Sequence, residues 1–420
     1  MTNSATSAQV ARSAILRALA DEVGDWSAGA GPLHRRLATA VARSIERGAV
    51  AHGARLPSER ALAAALSVSR GTAVAAYDRL VGDGLLERRR GSGTFAVGPG
   101  ALVLPAGREG SALVARLVDR SASPTDVVDL SISVLHDAAG LPVASVATAD
   151  LLDVAPDTGY SPWGLPGLRA AIAGLVTGWG LPTRPAQVVV TTGAQQAISI
   201  AAACWVGPGD VVVVDDPTYP GAISAFTAAG AELLAVAVDD EGVRPDRLRA
   251  ALAARPALVY LQSSLHSPTG AVLAGHRRPR IAELLSEARV PLVEDLALAG
   301  LAWADGPPPI ASHAPDQPVA VVGSLSKLFW GGLRIGFVRA PEPVALRFAR
   351  VKATHDLGSP AVAQLLAERL LCAPERMPLV AARNEALRVR YRVLAAALAE
   401  LLPSWTWTAP AGGLSMWVRL

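Results

Sequence analysis

The chain has 420 residues, more than one ordinary domain needs, and its 51% hydrophobic content is ample for a large core. It shows no basic-then-apolar leader and no uninterrupted apolar run of membrane-spanning length, and its two cysteines and seven histidines are scattered. These features argue against a secreted disulfide scaffold, a membrane span and a metal cluster, and Cys204 and Cys372, both in apolar helical surroundings, are expected as reduced core residues of a cytoplasmic protein.

The net charge of +3 is unevenly spread. Residues 31–97 hold eleven Arg against five Asp or Glu, a net +6, so the remainder carries −3 by difference. A basic module is therefore joined to a mildly acidic body. Residues 1–30 are a small-residue-rich extension with one helical stretch, Val10–Val23, and no assignable chemistry. Pro32–Ile45 reads as an amphipathic helix with Leu33, Leu37, Val41 and Ile45 on one face, ending at Gly48. A second helix starts at Leu-Pro-Ser58-Glu-Arg60 and runs through Leu66; a third starts at Ser69-Arg70-Gly-Thr72 and runs through Val81. Ser58 and Ser69 are the expected N-caps. Two short helices joined by a turn this brief form a helix-turn-helix, whose second helix aims its first turn, here Arg70 and Thr72, at base edges or phosphates. Gly84–Val97 then predicts two short strands around the basic, Gly-rich tip Arg88-Arg89-Arg90-Gly91-Ser-Gly93, able to touch the duplex backbone or minor groove. A solvated charge run is the plainer alternative for those arginines.

Residues 98–125 read as an interdomain linker. The body, residues 126–420, begins with Asp129–Ile132, and apolar runs at Val188, Val211, Leu234, Leu258, Leu292, Val319 and Ile335 then alternate with helical stretches. That alternation predicts an α/β domain with a mostly parallel sheet, covered on both faces, and with its chemistry at the carboxyl ends of the strands.

Four strand ends carry that chemistry. Thr-Thr-Gly193-Ala194-Gln195-Gln opens a helix after a strand, so its amides suit a phosphate. Asp-Pro-Thr-Tyr219-Pro-Gly puts an aromatic ring after the next strand, placed to stack on a planar heterocycle. Glu294-Asp295 ends another strand with a carboxylate, the partner that a pyridinium nitrogen needs to stay protonated. The stretch Gly-Ser324-Leu-Ser326-Lys327-Leu-Phe-Trp-Gly-Gly-Leu-Arg334 offers a lysine for a Schiff base, with hydroxyls and a cation for a phosphate dianion.

On these residues, Tyr160–Val338 resembles the large domain of fold-type-I, aspartate-aminotransferase-like pyridoxal-phosphate proteins. Together with Leu-Pro-Ser-Glu-Arg, Val-Ser-Arg-Gly-Thr and Gly-Ser-Gly-Thr-Phe upstream, the chain resembles MocR-type regulators of the GntR family, a winged helix-turn-helix fused to an aminotransferase-like domain. The resemblance implies DNA contacts from Arg60, Ser69, Arg70, Thr72, Arg90 and Gly91, with Val74 standing where a second polar or basic contact is common. It implies Lys327 as the aldimine lysine, Asp295 as the ring-nitrogen partner and Tyr219 on the ring face. Gly193, Ala194, Gln195, Ser324, Ser326 and Arg334 would surround the phosphate, Ser267 would stand near the ring hydroxyl, and Tyr160 would reach the phosphate of the other subunit of a homodimer. The implied function is a regulator that binds double-stranded DNA and senses a small amine, amino acid or the vitamin itself.

Three departures from the family pattern stand out. Ser267 replaces an Asn before Pro-Thr-Gly. Ala297 and Leu298 stand where a Tyr would hold the ring hydroxyl. The final residues, Ala411–Leu420, read as a small-domain strand with no counterpart of the Arg that grips a substrate carboxylate, and Arg419 is expected as a solvent-facing strand residue, so the small domain is expected to be incomplete or its effector recognised differently. These departures weigh against turnover, but an aminotransferase carrying a DNA-binding domain, or a cofactor-free dimerisation scaffold, remains an alternative.

Overall fold

The computed structural model describes residues 32–46, 50, 54–83, 85–89, 93–96, 133, 135, 140–154 and 158–420. The extension, the linker, the start of the body at Asp129–Ile132 and the tip residues Arg90 and Gly91 lie outside them. The chain divides into two compact units, residues 1–106 and 107–420.

In the smaller unit, four-residue apolar spacing gives α1 (Leu33–Glu46), whose Leu37, Val41 and Ile45 are fully buried. Leu33, expected on the same face, is instead exposed, because it sits on the first turn, beyond the body of the packed face. Helices α2 (Glu59–Ala65) and α3 (Arg70–Gly82) start where their caps place them. Ser58 Oγ accepts from Ala61 N, and Ser69 Oγ accepts from Thr72 N at 3.0 Å, each satisfying one of the free amides of a first turn. Buried Tyr77 on α3 donates to the Pro57 carbonyl at 3.0 Å and so ties α3 to the turn that opens α2. Strands β1 (Leu86–Arg89) and β2 (Gly93–Ala96) pair antiparallel as the wing.

The larger unit forms from α4 (Thr148–Val154) onward. Its eight-stranded sheet contains β3 (Val188–Thr191), β4 (Val211–Asp216), β5 (Glu232–Asp239), β6 (Gly242–Val243), β7 (Leu258–Gln262), β8 (Leu292–Asp295), β9 (Val319–Ser324) and β10 (Gly336–Arg339), in the order β3-β10-β9-β8-β7-β4-β5-β6. The pairs β4–β5, β4–β7, β7–β8 and β8–β9 are parallel, whereas β10 runs antiparallel to β3 and β9. The strands are nearly continuous apolar runs because both faces are covered. Val188, Val190, Val213, Val259, Leu261, Leu292 and Val321 belong to one core, and Val189, Val212, Val214, Leu258, Tyr260, Val293 and Val322 to the other. The flanking helices include α5 (Pro166–Gly178), α6 (Ala194–Trp205), α7 (Pro220–Ala228), α8 (Pro245–Leu252) and α9 (Arg278–Ala288).

After the one-turn α10 (Leu325–Leu328) come α11 (Glu342–Asp356), α12 (Ala361–Cys372), the long α13 (Arg376–Leu401) and a hairpin, β11 (Thr406–Trp407) with β12 (Val418–Arg419). Arg419 is exposed on that hairpin, as its strand pattern predicts. Both cysteines are free thiols. Cys204 is buried, but Cys372, expected in the core, is exposed at the end of α12, where the last turn leaves the packed face. No described helix is long and apolar enough to cross a membrane, and the described residues hold no metal-ligand cluster.

Candidate functional site

The smaller unit presents its candidate contacts on the first turn of α3 and on the wing. Ser69 and Thr72 share a hydroxyl–hydroxyl contact of 2.8 Å, which stiffens the turn. Arg60 and Arg70 are exposed and have no carboxylate partner among the described residues. Arg88, part of the predicted basic tip, is used differently: its guanidinium reaches Asp78 of α3 at 2.6 Å and Glu59 of α2 at 3.4 Å. It clamps the wing to both helices because β1 brings it back over their N-terminal and central turns. Val74 is half-buried, as an apolar replacement at that position would be.

In the larger unit, the carboxyl ends of β3, β4, β8 and β9 carry the four motifs to one end of the sheet. Gly193 caps α6 with φ 113°, a left-handed conformation that favours glycine. A side chain there would also meet the Arg334 guanidinium, since a Cβ would lie 3.1 Å from Nη2. A Cβ on Gly336 would lie 2.6 Å from the Gly193 carbonyl carbon and 2.8 Å from Ala194 N, so β10 presses directly on this turn. Arg334 donates to the Thr192 carbonyl at 2.7 Å, and Gln195 Nε2 to the Gly221 carbonyl at 2.8 Å. The first amides of α6 point out of the helix end beside that guanidinium, an arrangement that suits a phosphate. Ser324 Oγ caps α10 by accepting from Lys327 N at 3.3 Å, and buried Ser326 donates to the Ile335 carbonyl at 3.4 Å.

Strand alternation sends Glu294 and Asp295 to opposite faces of β8. Glu294 is braced structurally by Ser263 Oγ and the amides of Ile310 and Ala311. Asp295 is buried, accepts from the Tyr260 hydroxyl at 2.6 Å and from Ala297 N at 2.7 Å, and has no cation in salt-bridge contact among the described residues. Burial pushes its carboxyl up, and the two hydrogen bonds oppose that. Burial also lowers the Lys327 amine; the Asp295 charge raises it and the Arg334 charge lowers it further, so Lys327 gives up its proton more easily than an ordinary lysine. Its Nζ donates to the Ser133 carbonyl at 2.5 Å. Tyr219 is half-buried at the N-cap of α7, with burial and then the Asp295 charge raising its hydroxyl. Ser267 takes part through its backbone, bonded on both sides to the Gln262 amide. Tyr160 is 68% exposed and, among the described residues, stands outside the site.

Sequence reasoning missed Tyr260 and the buried pair Asp215–His266 (3.6 Å), the latter next to Gln262, whose backbone N donates to Asp215 at 2.8 Å. The signal for Tyr260 was its alternation with Gln262, which pairs with Asp295 across β7 and β8. It becomes informative only once those strands are known to be neighbours.

These residues fit pyridoxal phosphate. A buried carboxylate lacks a cationic partner where a ring N–H would supply one, helix amides and an arginine flank a side-chain-free turn, and the lysine's basicity is reduced. The cofactor-bearing aminotransferase class I and II family matches residues 125–420, and the bacterial gntR regulatory family matches residues 33–96. An uncharacterized HTH-type transcriptional regulator, YisV of Bacillus subtilis, is 30% identical over 92% of this chain and 84% of its own length. The probable rhizopine catabolism regulatory protein MocR of Rhizobium meliloti is 30% identical over 76% of this chain and 68% of its own length. Among solved structures, the α-aminoadipate aminotransferase LysN of Thermus thermophilus, crystallised with N-(5'-phosphopyridoxyl)-L-leucine, superposes with a TM-score of 0.59 at 31% identity. That match covers 65% of this chain and 71% of LysN. The chain belongs to the MocR-type GntR regulators, with a DNA-binding winged helix-turn-helix and a fold-type-I aminotransferase domain whose cofactor is pyridoxal phosphate.

Proposed function

We propose that this transcription regulator senses a small amine or amino acid through the cofactor held at Lys327. The observation that carries the proposal is the pairing of a deprotonation-prone Lys327 with buried, cation-free Asp295 at one end of the sheet. When bound, the cofactor supplies an aldehyde carbon that links reversibly to one amine at a time. Asp295 would keep the ring nitrogen protonated, Tyr219 would cover the ring, and the Gly193–Gln195 amides with Arg334 would hold the phosphate. Lys327 would be the amine of this chain that holds that carbon, and whenever its Nζ is free it has a partner in the Ser133 carbonyl.

Arg60, Arg70, the Ser69–Thr72 turn and the tip at Arg90 and Gly91 would contact DNA. In a homodimer, with Tyr160 completing the neighbouring phosphate site, effector exchange would change the spacing of the two DNA-binding units. The test measures DNA affinity and footprint of the cofactor-loaded protein with and without a panel of amino acids. An amine that alters both supports the proposal; identical affinity and footprint across the panel, and with cofactor absent, overturns it.

A second reading, an aminotransferase that also binds DNA, is favoured by the intact Lys327–Asp295–Arg334 set. Against it, Ala297 and Leu298 offer no side-chain donor to the ring hydroxyl. A half-transamination assay separates the two: conversion of the cofactor to its amine form would favour the enzyme.

A further inference from the structure

Folding changes how the charge of the wing is used. Sequence places three consecutive arginines at its tip, but Arg88 is held by Asp78 and Glu59 and its charge is largely balanced inside the unit. A different arginine, from outside the wing sequence, takes a place on the wing at β2. Residues 54–56 bond to β2 through an isolated antiparallel bridge: Leu56 N donates to the Thr94 carbonyl at 2.8 Å, Ala96 N donates to the Ala54 carbonyl at 2.9 Å, and Arg55 faces Phe95.

This pairing fixes the Arg55 backbone, and its exposed side chain lies across Gly93 at the mouth of the tip. A Cβ on Gly93 would fall 2.8 Å from Arg55 Nε, 3.2 Å from Nη2 and 3.4 Å from Cζ, so the Nε–Nη2 edge of the guanidinium lies against a residue that has no side chain to displace it. Gly93 also has φ +115°, so the same residue turns the strand and leaves the guanidinium its seat. Arg55 has no carboxylate partner among the described residues, and its five donors are held in a planar fork that matches a phosphate.

We infer that Arg55 is a DNA-backbone contact, with the guanidinium seated on Gly93 gripping a phosphate beside the wing. This inference rests on the DNA-binding reading of the unit and adds to it a residue that lies before α2 and outside the recognition helix. Phosphate contacts carry no sequence information, so the contact is made on any duplex.

The experiment titrates a labelled mixed-sequence duplex with the full-length, cofactor-loaded protein across a KCl series, for wild type, Arg55→Gln and Arg55→Lys. Each lost phosphate contact reduces the slope of log affinity against log salt by about 0.9, or roughly eightfold in affinity at about 0.1 M salt. Arg55→Gln is expected to lose that amount for each copy engaged, and Arg55→Lys to keep most of the slope. In parallel, phenylglyoxal modification of the wild type, mapped by mass spectrometry, should show Arg55 protected when the duplex is present, a readout that needs no variant. An unchanged slope in Arg55→Gln, or an Arg55 modified equally with and without DNA, overturns the assignment and leaves DNA binding standing. Failure of the wild type to bind the duplex in a salt-dependent way would strike the DNA-binding reading itself, and this inference with it.

Discussion

Removing the Tyr260 hydroxyl isolates what holds Asp295 ready for a ring nitrogen. Tyr260→Phe deletes one oxygen from a fully buried residue whose ring packs edge-on against Phe226, so it leaves almost no cavity. It does remove a 2.6 Å hydrogen bond to Asp295 Oδ2, leaving the Ala297 amide as the carboxylate's remaining partner among the described residues. A hydrogen bond to a charged group is worth about 1.5–3 kcal/mol. Its loss raises the Asp295 carboxyl beyond the rise that burial already causes. Protonation of the raised carboxyl relieves this cost in the free protein, whereas the cofactor complex needs the anion. Cofactor affinity at neutral pH should therefore fall on the order of 10- to 100-fold. Raising the pH should restore binding to the variant more than to wild type, because it ionises the carboxyl. Titration of tryptophan fluorescence with pyridoxal phosphate over a pH series measures both effects. A variant with wild-type affinity and an unaltered pH profile would refute the role given to Tyr260.

Other expectations follow from the same geometry. Gly336→Ala would push a methyl into the Gly193–Ala194 backbone and should cost about 1–3 kcal/mol in chemical unfolding while weakening phosphate binding. Asp295→Asn should melt higher than wild type in the cofactor-free state at neutral pH. A carboxyl whose folded pKa is raised costs stability above its unfolded pKa of about 4, so the advantage should shrink as pH falls toward that value. The same variant should bind the cofactor poorly. The rate at which the aldehyde attaches to Lys327 should rise with pH and level off below the ordinary lysine range, since burial lowers that amine; a plateau only near pH 10.5 would contradict the placement of Lys327.

Much of this was legible in the sequence because it was encoded locally. Ser58 and Ser69 announce their helices by side-chain chemistry, and each motif of the larger unit sits at the end of an apolar run, where an α/β sheet puts its chemistry. What escaped depended on which strands are neighbours. Tyr260 becomes a partner of Asp295 only because β7 lies beside β8, and Arg55 reaches the wing only because residues 54–56 pair with β2. Arg88 reads as a free charge until the fold brings Asp78 and Glu59 to it. Leu33 and Cys372 failed at helix ends, where periodicity continues past the packed face.

The central claim is that Lys327 carries the cofactor. The most direct measurement reduces the pyridoxal-phosphate-loaded protein with borohydride, follows the visible absorption band, and maps the labelled peptide, beside a Lys327→Ala variant. The account predicts a band that borohydride abolishes, a phosphopyridoxyl group on the peptide containing Lys327, and neither in the variant. A label on another lysine, or a reducible band that survives in Lys327→Ala, would contradict it.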